Sequence, residues 1–223
     1  MSPTSIDFGG HQIELHQSGA LYWHNQHTLV ISDLHFEKGS HFLKKRMFLP
    51  PYDTAETLSR LEVVIGHYKP KMILLLGDVF HDMQAYSRMS DDNRAWFERL
   101  LGHENVTWIE GNHDIGIEGR RFAPTHAQDG LWFRHIASNR DVFEISGHYH
   151  PAATIRHKGT KVRAPCFVVN EQQILMPSFG AYTGGLDIID PAMASFLKAE
   201  TRLFLLGQDR VYEAPIEKLT KFA

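Results

Sequence analysis

Lys71-Met-Ile-Leu-Leu-Leu-Gly-Asp78 is the stretch that decides the fold. A short apolar run that stops abruptly at Gly77-Asp78 is the pattern of a strand buried on both faces. The same design lies upstream as Thr28-Leu-Val-Ile-Ser-Asp-Leu-His35 and downstream as Asn105-Val-Thr-Trp-Ile-Glu-Gly-Asn-His-Asp114. Strands are therefore expected over 28–32, 71–76 and 105–109. A helix is expected over 55–67, where Leu58, Leu61, Val64 and Ile65 recur at helical spacing before Pro70. Asp53 and Glu56, three residues apart at its start, read as a capping box. A second helix is expected over 91–101, with Trp96, Phe97, Leu100 and Leu101 on its apolar side. Strand, polar loop and helix in repeated succession imply an α/β sheet with parallel strands. Ligands of such sheets collect at the carboxyl ends of the strands.

Working outward, residues 6–8 and 12–15 form a hairpin signal around Gly9-Gly10, and 20–23 reads as a further short strand. Beyond residue 130 the pattern changes. Strands are expected at 131–135, 142–146, 166–170 and 173–176 with few helices between them, which suggests a second sheet packed on the first. Residues 196–206 and 211–212 read as a closing helix and strand pair, and 151–165 as a loop. No linker or internal repeat divides the chain, so residues 1–223 are expected to form a single domain.

Composition narrows the class. The 223 residues are 43% hydrophobic and carry a net charge of −3, with 17 glycines and 10 prolines. These values exclude collagen-like and disordered chains and imply no strong global attraction to nucleic acid or membrane. A single cysteine, Cys166, excludes an internal disulfide and a thiolate-rich metal site. The N-terminus has no signal-peptide pattern, and no apolar stretch is long enough to span a membrane, so a soluble cytoplasmic protein is expected.

The 15 histidines are the unusual count. Six fall at the polar tips that end apolar runs: Asp33-Leu-His35, Asp78-Val-Phe-His81-Asp82, Asn112-His113-Asp114, His135, and Gly147-His148-Tyr-His150. The donors are carboxylate, amide oxygen and imidazole, which suit a divalent ion such as Mn²⁺, Fe²⁺ or Zn²⁺ rather than Cu(I) or a cluster. Seven or eight donors exceed one ion and suit two, which together can hold a phosphoryl group and activate a water. In Asp-x-His, side chains at i and i+2 would share a face if the strand continued. His135 also has a bland reading as an ordinary strand histidine. His81 either lines the site or is exposed, and Asp82 reads as structural. The nine remaining histidines, His41 among them, have no motif context.

In this order, Asp-x-His, Gly-Asp-x-x-His, Gly-Asn-His-Asp, a lone His and Gly-His-x-His, spanning Asp33 to His150, resemble the motif set of the calcineurin-like metallophosphoesterases. The resemblance implies a four-layer αββα sandwich of two mixed β-sheets flanked by helices. It implies one metal on Asp33, His35, Asp78 and His150, and another on Asp78, Asn112, His135 and His148. Asp78 would bridge the two. His113 would contact the phosphate and protonate the leaving oxygen, with Asp114 orienting it. The cofactor would be two divalent ions, Mn²⁺ first, with Fe²⁺, Zn²⁺ or Mg²⁺ as alternatives. The Arg that often follows the third motif is absent, since His81-Asp82 stands there, which argues against protein phosphatase activity.

Phe42-Leu-Lys-Lys-Arg-Met-Phe-Leu-Pro-Pro51, followed by Asp53-Thr-Ala-Glu-Thr-Leu58, resembles more narrowly the bacterial DNA ligase-associated members. Those are usually encoded beside an ATP-dependent DNA ligase, a nuclease and a DEXH-box helicase. The resemblance implies a phosphodiesterase or nuclease in DNA repair, with a DNA ligase or helicase as partner. Lys38, Lys44, Lys45 and Arg46 follow the first motif, and Arg156, Lys158, Lys161 and Arg163 follow the last with no acidic residue in 151–165. Both runs could contact backbone phosphates or be solvated loops, and Arg46 is the candidate substrate-binding arginine. Hydrolysis of a small phosphorylated metabolite, or a non-catalytic role beside a ligase or helicase, are the competing readings.

Overall fold

The computed structural model describes residues 4–45, 52–114, 121–138, 140–157 and 159–219. The chain opens with the antiparallel meander β1 (Thr4–Phe8), β2 (His11–Leu15), β3 (Leu21–Trp23) and β4 (Thr28–Ile31). Gly9 and Gly10 make the first turn with φ of 60° and 79°, a region that glycine enters without Cβ strain. Helices α1 (Lys38–Lys44) and α2 (Asp53–Tyr68) lead to β5 (Met72–Leu76). Helices α3 (Ala85–Arg88) and α4 (Asp91–Leu101) lead to β6 (Val106–Ile109), and β7 (Phe122–Ala123) ends the sheet. Strand order is β1-β2-β3-β4-β5-β6-β7, with β4 through β7 parallel.

The second sheet contains β8 (His126–Gln128), β9 (Leu131–Arg134), β10 (Phe143–Ser146), β11 (Pro151–His157), β12 (Thr160–Val169), β13 (Gln173–Leu175), β14 (Leu186–Asp187), β15 (Arg202–Leu206) and β16 (Val211–Ala214). Its order is β14-β11-β12-β13-β10-β9-β8, with β15 on β12 and β16 on β15. β10 runs parallel to β9 and β13, whereas β12 is antiparallel to β11, β13 and β15.

The apolar runs are buried on both faces because β4, β5 and β6, in the middle of the first sheet, separate two cores. Leu29 and Ile31 of β4 pack with Leu58, Leu61 and Val64 of α2 and with Phe97 of α4. Val30, Leu74 and Leu76 turn the other way and meet Phe133, Ile145, Phe167 and Phe204 between the sheets. A third core on the far side of the second sheet packs Val168 and Leu205 against Ile188, Met193 and Phe196. That cover comes from the chain between β14 and β15, which includes a 3-10 turn at Pro191–Met193. The fold is α/β: two mixed sheets, face to face, flanked by helical segments.

Three local expectations are corrected. Asp53 is the first residue of α2 and forms no capping box; its carboxylate accepts from the Gly39 amide at 3.0 Å, which ties α1 to α2. Residues 196–201 are not helical. Thr201 Oγ1 donates to Phe196 O and accepts from Lys198 N, holding a turn, and β15 begins only at Arg202. Residues 151–165 are not a loop, because they pair as β11 and β12 from Ala152↔Pro165 to His157↔Thr160. Cys166 is fully buried in β12, where burial pushes its thiol pKa up. No helix among the described residues is long and apolar enough to cross a membrane.

Candidate metal centre

The segments after β4, β5 and β6 of the first sheet meet those after β9 and β10 of the second. Two groups of side chains that could hold a metal ion form there, Asp33 with His35 and His150, and Asp78 with His135 and His148. Each group draws on both sheets. His150 Nε2 lies 3.1 Å from Asp33 Oδ1 and 3.3 Å from His35 Nε2. In the second group His135 Nε2 lies 3.5 Å from Asp78 Oδ2 and 3.1 Å from His148 Nδ1. Asp78 Oδ2 also stands 3.8 Å from His35 Nε2, which joins the two groups.

The donor set fits a pair of divalent ions. Donors about 2.1 Å from a common ion sit roughly 3.0–3.4 Å apart in tetrahedral or octahedral arrangements. Asp33 Oδ1 is sealed from solvent and faces imidazole nitrogens, His150 Nε2 at 3.1 Å and His135 Nδ1 at 3.8 Å, a buried anionic oxygen of the kind a cation sits against. Two tautomers are fixed by the backbone. His135 Nδ1 donates to Leu76 O at 2.9 Å and His150 Nδ1 donates to Gly184 O at 3.3 Å. A carbonyl only accepts, so both rings spend Nδ1 on the backbone and turn Nε2 to the centre, where, against desolvation, the Asp33 carboxylate raises the pKa of His150. Burial lowers His35 well below its ordinary pKa and lowers His148 as well, favouring neutral, ligating imidazoles. Burial works against ionising Asp33, but the surrounding rings, His150 foremost, hold its carboxyl below the usual range.

The convergence is not made by strand alternation. Asp33, His35, Asp78, His148 and His150 all have positive φ, from 45° to 71°. Asp-x-His therefore reaches one place through left-handed backbone at both ends, and the expectation of a shared strand face is corrected. Such conformations cost about 1–3 kcal/mol each in a non-glycine residue and persist where the surroundings over-determine them. Here they do. Asp33 Oδ2 accepts from the His148 amide at 3.0 Å and from the Ser32 hydroxyl. Asp78 Oδ1 accepts from the His113 amide at 3.0 Å. Gly147 lets the second-sheet tip come this close, since a Cβ there would lie 1.7 Å from Ser32 Oγ and 2.5 Å from Asp33 Oδ2.

His113 stands at the mouth, 45% exposed, with Nε2 3.9 Å from Asp78 Oδ2. Its ring stacks on His81 at 5.7 Å and 22°. Asp114 is not its partner. The Asp114 carboxylate accepts from the amides of Val79 (3.0 Å), Phe80 (3.2 Å) and Gly111 (3.2 Å), and so braces the tips after β5 and β6 against each other. Burial, with the Asp78 charge adding, pushes Asp114 up to about 7. Asn112 is exposed and lines a pocket of about 310 Å³ together with His135 and Arg134. Arg46 lies outside the described residues, as do the Lys44 side chain and Lys158.

His81 lines the centre, its ring 5.6 Å from that of His35, and burial pushes its pKa down to about 4. His41, which carries no motif, closes beside it at 4.7 Å and holds Asp82 through a 2.6 Å contact. Arg88 grips the same carboxylate with both terminal nitrogens, at 2.6 and 2.7 Å, so Asp82 is a structural clamp. Its burial opposes ionisation, yet Arg88 and His41 hold its pKa far below the usual carboxylate range. The segment after β13 is a further contributor. Phe179 and Gly180 donate to Ser32 O and Asp33 O at 2.9 and 3.1 Å, and Ser178 Oγ donates to Asp33 O at 2.7 Å. The Gly180 and Gly184-Gly185 punctuation was its only signal in the sequence.

A profile of the calcineurin-like phosphoesterases matches residues 27–175. Comparison with curated protein sequences gives no match. Among solved structures, the nuclease MPE of Pseudomonas putida is similar with a TM-score of 0.73 and 27% identity, over 96% of this chain and 100% of that one. Yfce, a phosphoesterase from E. coli, aligns at a TM-score of 0.43 and 14% identity, over 84% of this chain and 97% of that one. With the profile covering the residues from β4 through β13 that carry both ligand groups, this chain belongs to the calcineurin-like phosphoesterase family.

Proposed function

We propose that the protein is a two-metal phosphodiesterase acting on a nucleic acid, in the cytoplasm and in the service of DNA repair. The observation that carries the two-metal reading is the joining of the two ligand groups through Asp78 Oδ2, which faces His135 at 3.5 Å and His35 at 3.8 Å. The similarity to the P. putida nuclease supports the choice of a diester in a polynucleotide. Bound there, two divalent ions, Mn²⁺ by preference, supply Lewis-acid charge on the phosphoryl oxygens and an activated water nucleophile.

The chain's own residues then divide the work. Asp33, His35, His150 and Asp78 would hold one ion; Asp78, Asn112, His135 and His148 would hold the other. Leu76 O and Gly184 O aim the His135 and His150 rings. His113, at the mouth and fixed by its amide on Asp78, is placed to touch the phosphate and give a proton to the leaving oxygen. Asp114 keeps that loop in register. Arg46 remains the candidate substrate arginine, and a DNA ligase or helicase the candidate partner. We read residues 1–223 as one domain.

The test is a substrate panel with added Mn²⁺: bis(p-nitrophenyl) phosphate, p-nitrophenyl phosphate, cyclic nucleotides and single-stranded DNA. Hydrolysis of the diester and of DNA supports the reading. Hydrolysis of monoesters alone removes the nuclease, and no hydrolysis of any phosphoester favours a non-catalytic role.

A further inference from the structure

Among the described residues, ten other than glycine have positive φ. Five are the candidate ligands named above. His27 and Lys69 end helical segments, Glu37 precedes α1, and Asp129 turns the chain from β8 to β9. The tenth is Tyr182, at φ 54° in the segment between β13 and β14. Left-handed backbone is costly for a bulky residue and free for glycine. Glycines stand at 180, 184 and 185. Position 182 nonetheless carries a tyrosine, and at 44% exposure the side chain is not there to fill a core.

The backbone around Tyr182 is held from both sides of the metal centre. Gly180 N and Ser178 Oγ donate to Asp33 O, and Gly184 O accepts from His150 Nδ1. Ala181 N donates to Thr57 Oγ1 of α2 at 2.9 Å. Two glycines permit this approach: a Cβ on Gly180 would lie 2.2 Å from Leu34 O, and one on Gly185 would lie 2.8 Å from His150 O. Tyr182 is thus two residues from the contact with Asp33 and two from the contact with His150. Its hydroxyl end stands at the start of α2, where desolvation and the Glu56 carboxylate raise the phenol above its ordinary pKa. The charge of Asp53 reaches both Tyr182 and Lys38, and that of Lys38 reaches His35. Glu56 and Asp53 repel a phosphate from the hydroxyl end, so a flat, uncharged group suits the ring better than a sugar-phosphate backbone does.

We propose that Tyr182 is the stacking platform for an unpaired nucleobase next to the phosphodiester at the centre, on the side of Asp33, His35 and His150. The inference rests on the nucleic-acid reading above and deepens it. Every base has a π-face, so such stacking tolerates any sequence. Within a duplex both faces of a base are covered, so the ring takes its base from a single strand or an open end. The costly backbone conformation is retained because it aims the ring from a loop that its surroundings over-determine.

The experiment uses the full chain and two variants. Tyr182→Asn removes the ring and installs a residue that enters left-handed backbone more readily. Tyr182→Phe keeps the ring and removes the hydroxyl. Fluorescence anisotropy reads binding of a single-stranded DNA of about twenty nucleotides, and of a strand of equal length and charge whose sugars carry no bases. In Tyr182→Asn the affinity for the base-bearing strand is expected to fall about tenfold. Its affinity for the base-free strand and its salt slope stay at the wild-type values, because no phosphate contact is lost. Its melting midpoint holds or rises, and its Mn²⁺ content by elemental analysis matches that of the wild type. Tyr182→Phe keeps the wild-type affinity for both strands. Unchanged affinity in Tyr182→Asn overturns the platform. An equal loss on both strands overturns it too, as does a loss in Tyr182→Phe as large as that in Tyr182→Asn, which would leave the residue only its hydroxyl beside Glu56. Those outcomes leave the nucleic-acid reading standing, whereas failure of the wild-type protein to bind either strand overturns that reading and the platform with it.

Discussion

In the group of Asp33, His35 and His150, two side chains come from the tip after β4 and one crosses from the second sheet. In the group of Asp78, His135 and His148 the proportion is reversed. Each carboxylate gives one oxygen to the scaffold: Asp33 Oδ2 to the His148 amide, Asp78 Oδ1 to the His113 amide. The other oxygen differs. Asp33 Oδ1 faces His150 Nε2 at 3.1 Å, and the nitrogen it sees in the other group, His135 Nδ1 at 3.8 Å, is already spent on Leu76 O. Asp78 Oδ2 faces open nitrogens of both groups. Asp33 thus serves one group and Asp78 both, and a sheet-to-sheet contact is what makes either group complete.

The largest expected effect breaks both groups at once. Asp78→Ala should lose both ions and reduce phosphodiester hydrolysis by at least ~10³-fold, whereas Asp33→Ala should retain one ion. Elemental analysis of the purified variants and diester kinetics check this. Loss of both ions in each variant would remove the difference between the carboxylates.

Gly147→Ala tests the sheet-to-sheet approach without touching a ligand. Its Cβ would collide with Ser32 Oγ and Asp33 Oδ2, so His148 and His150 are displaced together. A drop in Mn²⁺ affinity of at least ~10² in calorimetry is expected, on the scale seen when supporting residues of metal sites are lost. Wild-type affinity would show that the two sheets need not meet so closely.

His113→Ala separates chemistry from metal binding. It should keep two ions and lower kcat by roughly 10²-fold, the ordinary scale for a positioned general acid. A lost ion would place His113 among the ligands instead. The smallest effect lies outside both groups, in the Arg88–Asp82–His41 clamp. The Asp82 pKa is depressed in the fold, so its stabilisation is present above the unfolded carboxylate range near pH 4 and is lost as pH falls below it. Partly exposed and screened, it is worth about 1 kcal/mol. Asp82→Asn should lower urea stability by about that much at pH 7, with the difference shrinking steadily as pH falls below about 4, and should keep both ions.

The apolar runs and their polar stops made the parallel half of the first sheet legible. Strands over 28–31, 72–76 and 106–109 needed burial on both faces, and the intervening helices carried clear periodicity. The residues of the two candidate metal groups stood out for the same reason, because they lie where apolar runs stop. What stayed hidden depends on tertiary contact. The Asp53 carboxylate prefers the Gly39 amide to its own helix end, and Asp114 finds three backbone amides rather than its neighbour His113. Left-handed backbone at five ligand positions is imposed by the meeting of the tips and has no signature in Asp, His or their spacing. Residues 151–165 looked like a loop because their charge and prolines mask a strand pattern that only cross-strand pairing reveals. His41 entered the site through its contact with Asp82, a partner forty-one positions away.

The central claim is that two ions share Asp78 between groups assembled from both sheets. Anomalous diffraction from crystals soaked in Mn²⁺ tests it most directly. The account predicts two peaks roughly 3.5–4 Å apart, one among Asp33, His35 and His150 and the other among His135, His148 and Asn112, with Asp78 between them. A single peak, or two peaks without Asp78 between them, would contradict it.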